Sequence, residues 1–443
     1  MERRTFLQCI AAAAVTPACA TPSHRFGALR PDPDQLLDLA DGFEYSVVSR
    51  FGDTMSDGYR VPAAHDGMGA FARDDGRVAL VCNHELIGAY LNATPFPDGI
   101  AGLPEDTLAR IYDRGGDKTP ALGGTTTTIW NPATRRTEQQ FLSLFGTENN
   151  CAGGPTPWGS WLSCEEAFSS PGQTKQRGHE ITRQQNHGYV FEVSAHAEGL
   201  VKAEPLRALG RFEHEAAAVD PKTGIVYLTE DRRYGLFYRL VPNVPGKLAK
   251  GGLLQALALD GRPSARTHNW SAQPDIALNR PLYAHWIDIE EPDPGENDLR
   301  LIYAREGATT FCRGEGLCVA GDRLVFTATE GGAARFGQVF SYKPTSANGG
   351  ELELIAEATP ESILRYGDNV VAAPWGDLIL CEDRSDGAGL IGIRPNGELY
   401  RIARNSYSES ELAGACFSPD GKTMFVNIQY PGMTVAITGP WPG

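Results

Sequence analysis

A chain of 443 residues is long enough for two or three average domains, but it also suits one closed β-architecture such as a barrel or propeller. Glycine (50 residues) and proline (30 residues) are abundant and helix-period apolar stripes are scarce, which favours short strands joined by tight turns. The formal net charge of −15 and the absence of a basic tract or a membrane-length apolar run argue against nucleic-acid and membrane partners. An anionic substrate would require bound cations.

The N-terminus carries a targeting signal. Arg3 and Arg4 are followed by an apolar stretch from Cys9 to Val15 and by the sequence Ala18-Cys19-Ala20. This pattern resembles a twin-arginine export signal with its cleavage site. We therefore predict that residues 1–20 are removed and that residues 21–443 form a single domain, periplasmic or secreted. A basic N-terminus on a cytosolic protein is the alternative.

One unit recurs along the rest of the chain: a strand of small residues, a hairpin turn, and an apolar strand that ends at a carboxylate. The first five copies end at Glu85, Glu165-Glu166, Glu230-Asp231, Glu330 and Glu382-Asp383, and the sixth ends at the amides Asn427 and Gln429. Further alternating strands are predicted at 188–191, 235–238, 337–340 and 390–393. Six copies predict an all-β, six-bladed β-propeller with loop insertions, the longest of them at about residues 240–300.

Equivalent positions of successive blades surround one central channel, so the repeated acids are expected to converge there. Other acids precede the small-residue strands and are expected to point into the same channel; these are Glu213, Glu215, Glu306 and Glu315. Clustered carboxylates repel one another unless they are protonated or bound to hard cations, and oxygen ligands suit Ca²⁺. The pattern predicts a polynuclear metal site. Each acid taken singly is equally compatible with a solvated strand end.

The cysteine count is odd once the export signal is removed. Seven cysteines remain, so in an oxidising compartment at least one thiol is free, paired elsewhere or bound to metal. Whether Cys312 and Cys318 form a disulfide stays open.

Four segments resemble the PhoX alkaline phosphatases, and the similarity runs from about Glu44 to Thr438. They are Asn83-His84-Glu85; residues 150–159 with Cys164-Glu165-Glu166; His214-Glu215; and residues 417–421 with Val426-Asn427-Ile428-Gln429. The resemblance implies a six-bladed propeller with iron and calcium ions in the channel, and hydrolysis of phosphate monoesters at alkaline pH.

The resemblance also implies roles for individual residues. Glu85 and Cys151 resemble iron ligands, the cysteine as a thiolate, and Glu165, Glu215 and Glu306 resemble further metal ligands. The channel acids Glu230 and Glu315 complete the predicted metal set. In such a site the metal ions clamp the phosphoryl oxygens and a metal-bound oxygen attacks phosphorus.

Arg305 resembles the arginine that grips the substrate phosphate, and Glu306 is assigned to the catalytic set beside it. Longer PhoX enzymes place a proline between this arginine and the glutamate, whereas Arg305 and Glu306 are adjacent. Adjacent strand residues point to opposite faces, so either a bulge redirects one of them or only one is functional. A salt bridge to a nearby acid is the other reading of Arg305.

The sequence therefore predicts a monomeric, exported, metal-dependent phosphomonoesterase acting on a small phosphate ester. Two alternatives remain: a calcium-dependent lactonase or arylesterase, and a non-enzymatic binding propeller in which calcium is structural.

Overall fold

The computed structural model describes residues 25–271 and 273–442. The predicted export signal at residues 1–20 therefore lies outside the described residues. Strands dominate; the α-helices of the described ranges are α1 (Glu105–Leu108) and α2 (Leu299–Arg305), both short. No helix in the described ranges is long and apolar enough to cross a membrane.

The first fifteen strands carry the first three sequence repeats. They are β1 (Leu29–Arg30), β2 (Leu37–Ala40), β3 (Glu44–Arg50), β4 (His65–Ala72), β5 (Val78–His84), β6 (Gly123–Asn131), β7 (Arg136–Thr147), β8 (Asn150–Pro155), β9 (Ser160–Glu165), β10 (Gly172–Gln176), β11 (His179–Arg183), β12 (Val190–Ser194), β13 (His214–Val219), β14 (Val226–Glu230) and β15 (Gly235–Pro242).

The remaining strands carry the insertion and the last three repeats. They are β16 (Gly252–Leu259), β17 (Leu282–Asp288), β18 (Thr310–Phe311), β19 (Gly314–Ala320), β20 (Arg323–Ala328), β21 (Gln338–Ser346), β22 (Gly349–Glu357), β23 (Gly367–Ala372), β24 (Leu378–Glu382), β25 (Gly389–Ile393), β26 (Leu399–Asn405), β27 (Leu412–Phe417), β28 (Thr423–Ile428) and β29 (Met433–Thr438). The predicted outer strands at 188–191, 235–238, 337–340 and 390–393 overlap β12, β15, β21 and β25.

The chain is an all-β protein with a propeller-like arrangement of antiparallel sheets. Strands β4 to β7 form one four-stranded sheet, and β27, β28, β29 and β3 form another, so the start and the end of the fold share a sheet. A three-stranded sheet holds β8, β9 and β12, and a six-stranded sheet holds β1, β2 and β23 to β26. Pairing β3 with β29 joins the two ends of the chain in one sheet and so closes the arrangement.

The innermost strands make a closed ring. Each of β4, β8, β13, β19, β23 and β27 contacts the next in that order, and β27 returns to β4. They enclose a channel with a cavity of about 300 Å³. Small residues allow this approach: a Cβ on Gly67 would lie 2.5 Å from Cα of Ala152, and one on Gly316 would lie 2.6 Å from Cα of Asn369. The runs of small residues in the sequence thus mark the channel wall.

The hydrogen bonding between strands does not divide the described residues into six separate blades. The third and fourth repeats belong to one ten-stranded sheet, in which β17 pairs with β16 on one side and with β22 on the other. Strands β16 and β17 both lie in the predicted 240–300 insertion, which we expected to form a loop. The insertion instead supplies a strand that satisfies the outer edges of two neighbouring repeats.

Candidate metal centre

The same irregularity occurs near the start of every inner strand. In five inner strands the register with the neighbouring strand shifts through a β-bulge immediately after the first paired residue, and in β27 it shifts after the second, Ala413. A bulge locally re-aims the side chains it carries. The second residues of the six inner strands, which we call the first ring, are Asp66, Cys151, Glu215, Glu315, Asp368 and Ala413. Five of these six positions carry a metal-ligating side chain.

A second set of side chains stands at the ends of the partner strands. The residues that directly follow β5, β9, β14, β20, β24 and β28, which we call the second ring, are Glu85, Glu166, Asp231, Thr329, Asp383 and Gln429. The amide of Gln429 donates to Oε2 of Glu85 at 2.6 Å and to Oδ2 of Asp66 at 3.1 Å. The two rings therefore meet, and an amide of the sixth repeat links two carboxylates.

A strained backbone position fixes the second ring. In four repeats the residue before the inner strand has a positive φ between 48° and 57°, and its carbonyl accepts the amide of the second-ring residue at 2.9 to 3.1 Å. The pairs are Ala64 with Glu85, Asn149 with Glu166, Arg313 with Thr329, and Tyr366 with Asp383.

Three groups of these side chains are close enough to share a metal ion. They are Glu85, Cys151 and Glu166; Asp66, Glu85 and Glu411; and Glu215, Glu315 and Asp368. In each group the candidate ligand atoms lie within 4.8 Å of one another. Glu411 stands directly before β27, beside the alanine of the first ring. The Sγ atom of Cys151 lies 3.9 Å from Oδ2 of Asp66, which connects the first two groups.

Burial and the repulsion between like charges raise the free energy of ionised carboxylates in this cluster unless cations are bound. Burial, followed by the charge of Glu315 and Asp368, raises the pKa of Glu215 well above its usual range. Both carboxylate oxygens of Glu215 are buried without a hydrogen-bond partner among the described residues. Burial raises the pKa of Glu85 to about 7 although Arg177 acts in the opposite direction. An unpaired buried carboxylate calls for a cation, so the donor set fits metal binding.

One arginine lies at the edge of the cluster. Arg313 donates from Nε and Nη2 to the carboxylate of Asp231 at 2.9 and 2.7 Å, and its Nη2 is 3.2 Å from Oε1 of Glu315. Its side chain remains 33% exposed, so solvent and substrate can reach it. The Glu315 carboxylate is the largest cause that raises the pKa of Arg313. Arg313 and Glu315 are separated by one residue, which is the spacing that the PhoX resemblance requires.

The structure brings four of the predicted metal residues together: Glu85, Cys151, Glu215 and Glu315 all lie in the cluster. Glu165 and Glu230 do not. Glu165 accepts hydrogen bonds from the amides of Gly188 and Tyr189 at 2.8 and 3.0 Å, and Glu230 accepts from the amide of Leu236 at 3.1 Å. Successive strand residues face opposite sides, so the following residues, Glu166 and Asp231, reach the channel instead.

Arg305 and Glu306 are also placed away from the cluster. The residues 299–305 form α2, so Arg305 is the last helical residue and Glu306 its cap, and both are exposed. The sequence reasoning treated the pair as extended backbone before a small-residue strand, whereas that strand, β19, begins eight residues after Glu306 at Gly314.

Sequence reasoning overlooked Asp66, Asp368, Glu411 and Arg313. A signal existed for the first two, because each precedes a run of small or β-branched residues just as Glu215 and Glu315 do. Glu411 and Arg313 carried no comparable signal, since each lies outside the inner strand and is positioned by the turn that leads into it. The seven cysteines of the described ranges are all free, so Cys312 and Cys318 are not joined.

Comparison with protein families decides the assignment. The model of the family described as alkaline phosphatase PhoX matches residues 24–432 of this chain. The chain belongs to the alkaline phosphatase PhoX family. It is accordingly a hydrolase of phosphate monoesters. No curated protein sequence matches the chain significantly.

Three solved structures to which the chain is similar differ in how well they superpose, and only the first shares its overall fold at a TM-score above 0.5. Pseudomonas fluorescens PhoX, in complex with the transition-state analogue vanadate, is 19% identical, with 91% of this chain and 96% of that chain covered and a TM-score of 0.67. A gluconolactonase from Xanthomonas campestris is 12% identical, with coverages of 95% and 100% and a TM-score of 0.41. A virginiamycin B lyase from Staphylococcus aureus is 10% identical, with coverages of 89% and 99% and a TM-score of 0.42.

The adjacent acids of the PhoX repeat predict opposite mutant phenotypes. Glu165→Gln is expected to destabilise the fold by roughly 3 kcal/mol, because both oxygens of the buried carboxylate face N–H donors, from His187 and three backbone amides, and glutamine offers only one acceptor oxygen. Glu166→Gln is expected to raise the thermal midpoint in a chelator, because burial and then the charge of Asp231 already raise the pKa of that carboxyl. Thermal unfolding with and without a chelator measures both effects.

Each variant is the control for the other, since the same chemical change is made one residue apart. Destabilisation of similar size by both substitutions would contradict the alternation that places only Glu166 in the cluster.

Proposed function

We propose that this chain hydrolyses phosphate monoesters at a metal cluster held by the first and second rings. The observation that carries the proposal is Glu215, whose fully buried carboxylate has no hydrogen-bond partner among the described residues and faces Glu315 and Asp368. A carboxylate in that position is stable only beside positive charge. The described part of the chain offers Arg313 as a nearby cation, and that arginine is already paired with Asp231.

The donor sets suit two kinds of ion. The group of Glu215, Glu315 and Asp368 offers only carboxylate oxygens, the ligands of Ca²⁺. The group of Glu85, Cys151 and Glu166 adds a sulfur atom, which favours a softer ion such as iron. Burial raises the pKa of the Cys151 thiol well above its usual range, so a bound ion must accompany its ionisation. When bound, such ions supply positive charge to phosphoryl oxygens and activate coordinated water.

The protein's own residues then have separate tasks. Asp231 orients the guanidinium of Arg313 through Nε and Nη2 at the exposed edge of the cluster, and the remaining Nη1 group is the charged donor for a phosphoryl oxygen. Thr329 holds Glu315 through a 2.7 Å hydrogen bond to Oε1, and Gln429 holds Glu85 and Asp66 together. Arg313 therefore takes the phosphate-gripping role that the sequence assigned to Arg305, while Glu306 has no task in this scheme.

The number of blades, the domain boundary, the export route and the size of the substrate belong to the same proposal. We propose that each of the six inner strands begins one blade. The outer strands of the third and fourth blades are joined by β17. Residues 21–443 are proposed to act as one monomeric domain after twin-arginine export and removal of residues 1–20, with a small phosphate ester as substrate.

The test is hydrolysis of p-nitrophenyl phosphate by the mature protein at alkaline pH. We expect turnover with added Ca²⁺, loss of turnover after chelation, and recovery when Ca²⁺ is returned. Elemental analysis of the active protein should find both iron and calcium. Turnover that survives complete metal removal, or no turnover with metal present, would refute the proposal; hydrolysis of lactones or aryl esters alone would favour the lactonase.

A further inference from the structure

A pocket opens beside the metal cluster at the sixth repeat. Its volume is about 380 Å³, near the lower end of the range of roughly 300–1,000 Å³ that is typical of ligand pockets. Its lining comes from the turn after β24, the segment between β26 and β27, and the two residues that follow β28, Gln429 and Tyr430.

The pocket shares three residues with the cluster. Asp383 and Gln429 belong to the second ring, and Glu411 is a candidate ligand together with Asp66 and Glu85. The sixth repeat is also the one whose first-ring position is a small residue, Ala413, instead of a ligand. A phosphoryl group held at the cluster therefore has this pocket directly beside it, with room for the rest of the ester.

One aromatic ring forms part of the wall, and its backbone is held in place. Tyr430 is 44% exposed, its carbonyl accepts a hydrogen bond from Oγ of Ser408 at 3.0 Å, and its amide donates to Oγ of Ser410 at 3.0 Å. The ring thus projects from a fixed point beside the cluster. A flat apolar face near hydroxyl and carboxylate groups suits the C–H face and the hydroxyl groups of a sugar or polyol.

The charged groups of the lining disfavour a second anionic group on the substrate. Arg384 donates to both carboxylate oxygens of Asp386 at 2.5 and 2.7 Å, and its Nη1 lies 3.7 Å from Glu382, so its charge is already neutralised. Glu409 adds negative charge to the lining. A neutral, hydroxylated leaving group is favoured over one that carries its own phosphate or carboxylate.

We propose that this pocket is the leaving-group subsite and that it selects phosphate monoesters of small, neutral, hydroxylated alcohols. The inference rests on the proposed function, because it requires the phosphoryl group to be bound at the cluster. Tyr430 is the residue against which the alcohol packs, and Ser385, which has no hydrogen-bond partner among the described residues, is an exposed residue of the pocket lining.

The experiment compares glycerol 2-phosphate as substrate with inorganic phosphate as competitive inhibitor, using the metal-loaded protein. Tyr430→Ala should lower kcat/KM for glycerol 2-phosphate about tenfold through lost ring packing, and Ser385→Trp should lower it in the same direction by filling the pocket. The inhibition constant of inorganic phosphate, which has no leaving group, should change by less than about twofold in both variants.

Tyr234→Ala is the matched control, because Tyr234 is a similarly exposed tyrosine (41%) outside the pocket lining, three residues after the second-ring Asp231. It should leave both constants unchanged. If the pocket variants weaken inorganic phosphate as much as glycerol 2-phosphate, or affect neither, the subsite is refuted. Absence of any turnover by the unmodified protein with metal present refutes the proposed function, and the subsite with it.

Discussion

Glu215→Gln should lower kcat/KM for p-nitrophenyl phosphate by more than about 100-fold, since changes in residues that merely orient metal ligands already cost about 10–100-fold. Glu215 is fully buried, both of its oxygens lack a hydrogen-bond partner among the described residues, and it lies in one group with Glu315 and Asp368. Losing this carboxylate should also reduce the bound calcium. Steady-state kinetics and elemental analysis on the same preparation measure the two effects.

Glu330→Gln is the control for this substitution. Glu330 is one residue beyond the second ring, its side chain is 26% exposed, and it pairs with Arg233 at 3.0 Å. Activity and metal content should change by less than about threefold, because an exposed ion pair contributes little. If Glu215→Gln keeps full activity and full metal content, Glu215 is not a ligand and the observation that carries the proposed function is lost.

Arg313→Ala should lower kcat/KM for p-nitrophenyl phosphate by about 100-fold to 1,000-fold, the loss typical of removing one preorganised donor to a developing negative charge. The side chain lies at the exposed edge of the cluster, 3.2 Å from Glu315 and paired with Asp231. Arg313→Lys should recover only part of the activity, because an ammonium group cannot make the bidentate contact. Metal content is measured alongside the kinetics to separate lost phosphate binding from lost metal.

Arg305→Ala is the matched control, and it decides between the two arginines. Arg305 is exposed at the end of α2, so its removal should change kcat/KM by less than about twofold. The reverse result, in which Arg305→Ala is inactive and Arg313→Ala is active, would restore the sequence-based assignment and contradict the proposed role of Arg313 in phosphate binding.

Much of the fold could be predicted because its signals are local. Within each repeat, the small-residue run, the turn and the strand-end acid lie within about twenty residues of one another along the chain, and they predicted the all-β class and the ring of inner strands. The joining of the third and fourth repeats by β17 could not be predicted this way. It depends on pairing between Leu282 and Leu352, which are distant in sequence.

The residues of the candidate site also fall into those that local sequence patterns predicted and those that they did not. Glu85, Cys151, Glu215 and Glu315 were predicted from motifs and from their places before or after strands, and they lie in the cluster. The sequence favoured Glu165, whereas Glu166 lies in the cluster, because a doubled acid at a strand end does not reveal which residue faces the channel.

The sequence by itself determined that acids recur with a strand-and-turn repeat and that a cysteine accompanies them. Both features depend only on residue types and on their spacing over short stretches of the chain. Only the tertiary structure decided which acids converge. The bulge at the start of each inner strand and the left-handed residues before them turn Asp66, Asp368 and Arg313 toward one channel, while helix α2 carries Arg305 to the surface. Convergence of this kind depends on the closure of the ring, a property of distant strands that no local pattern encodes.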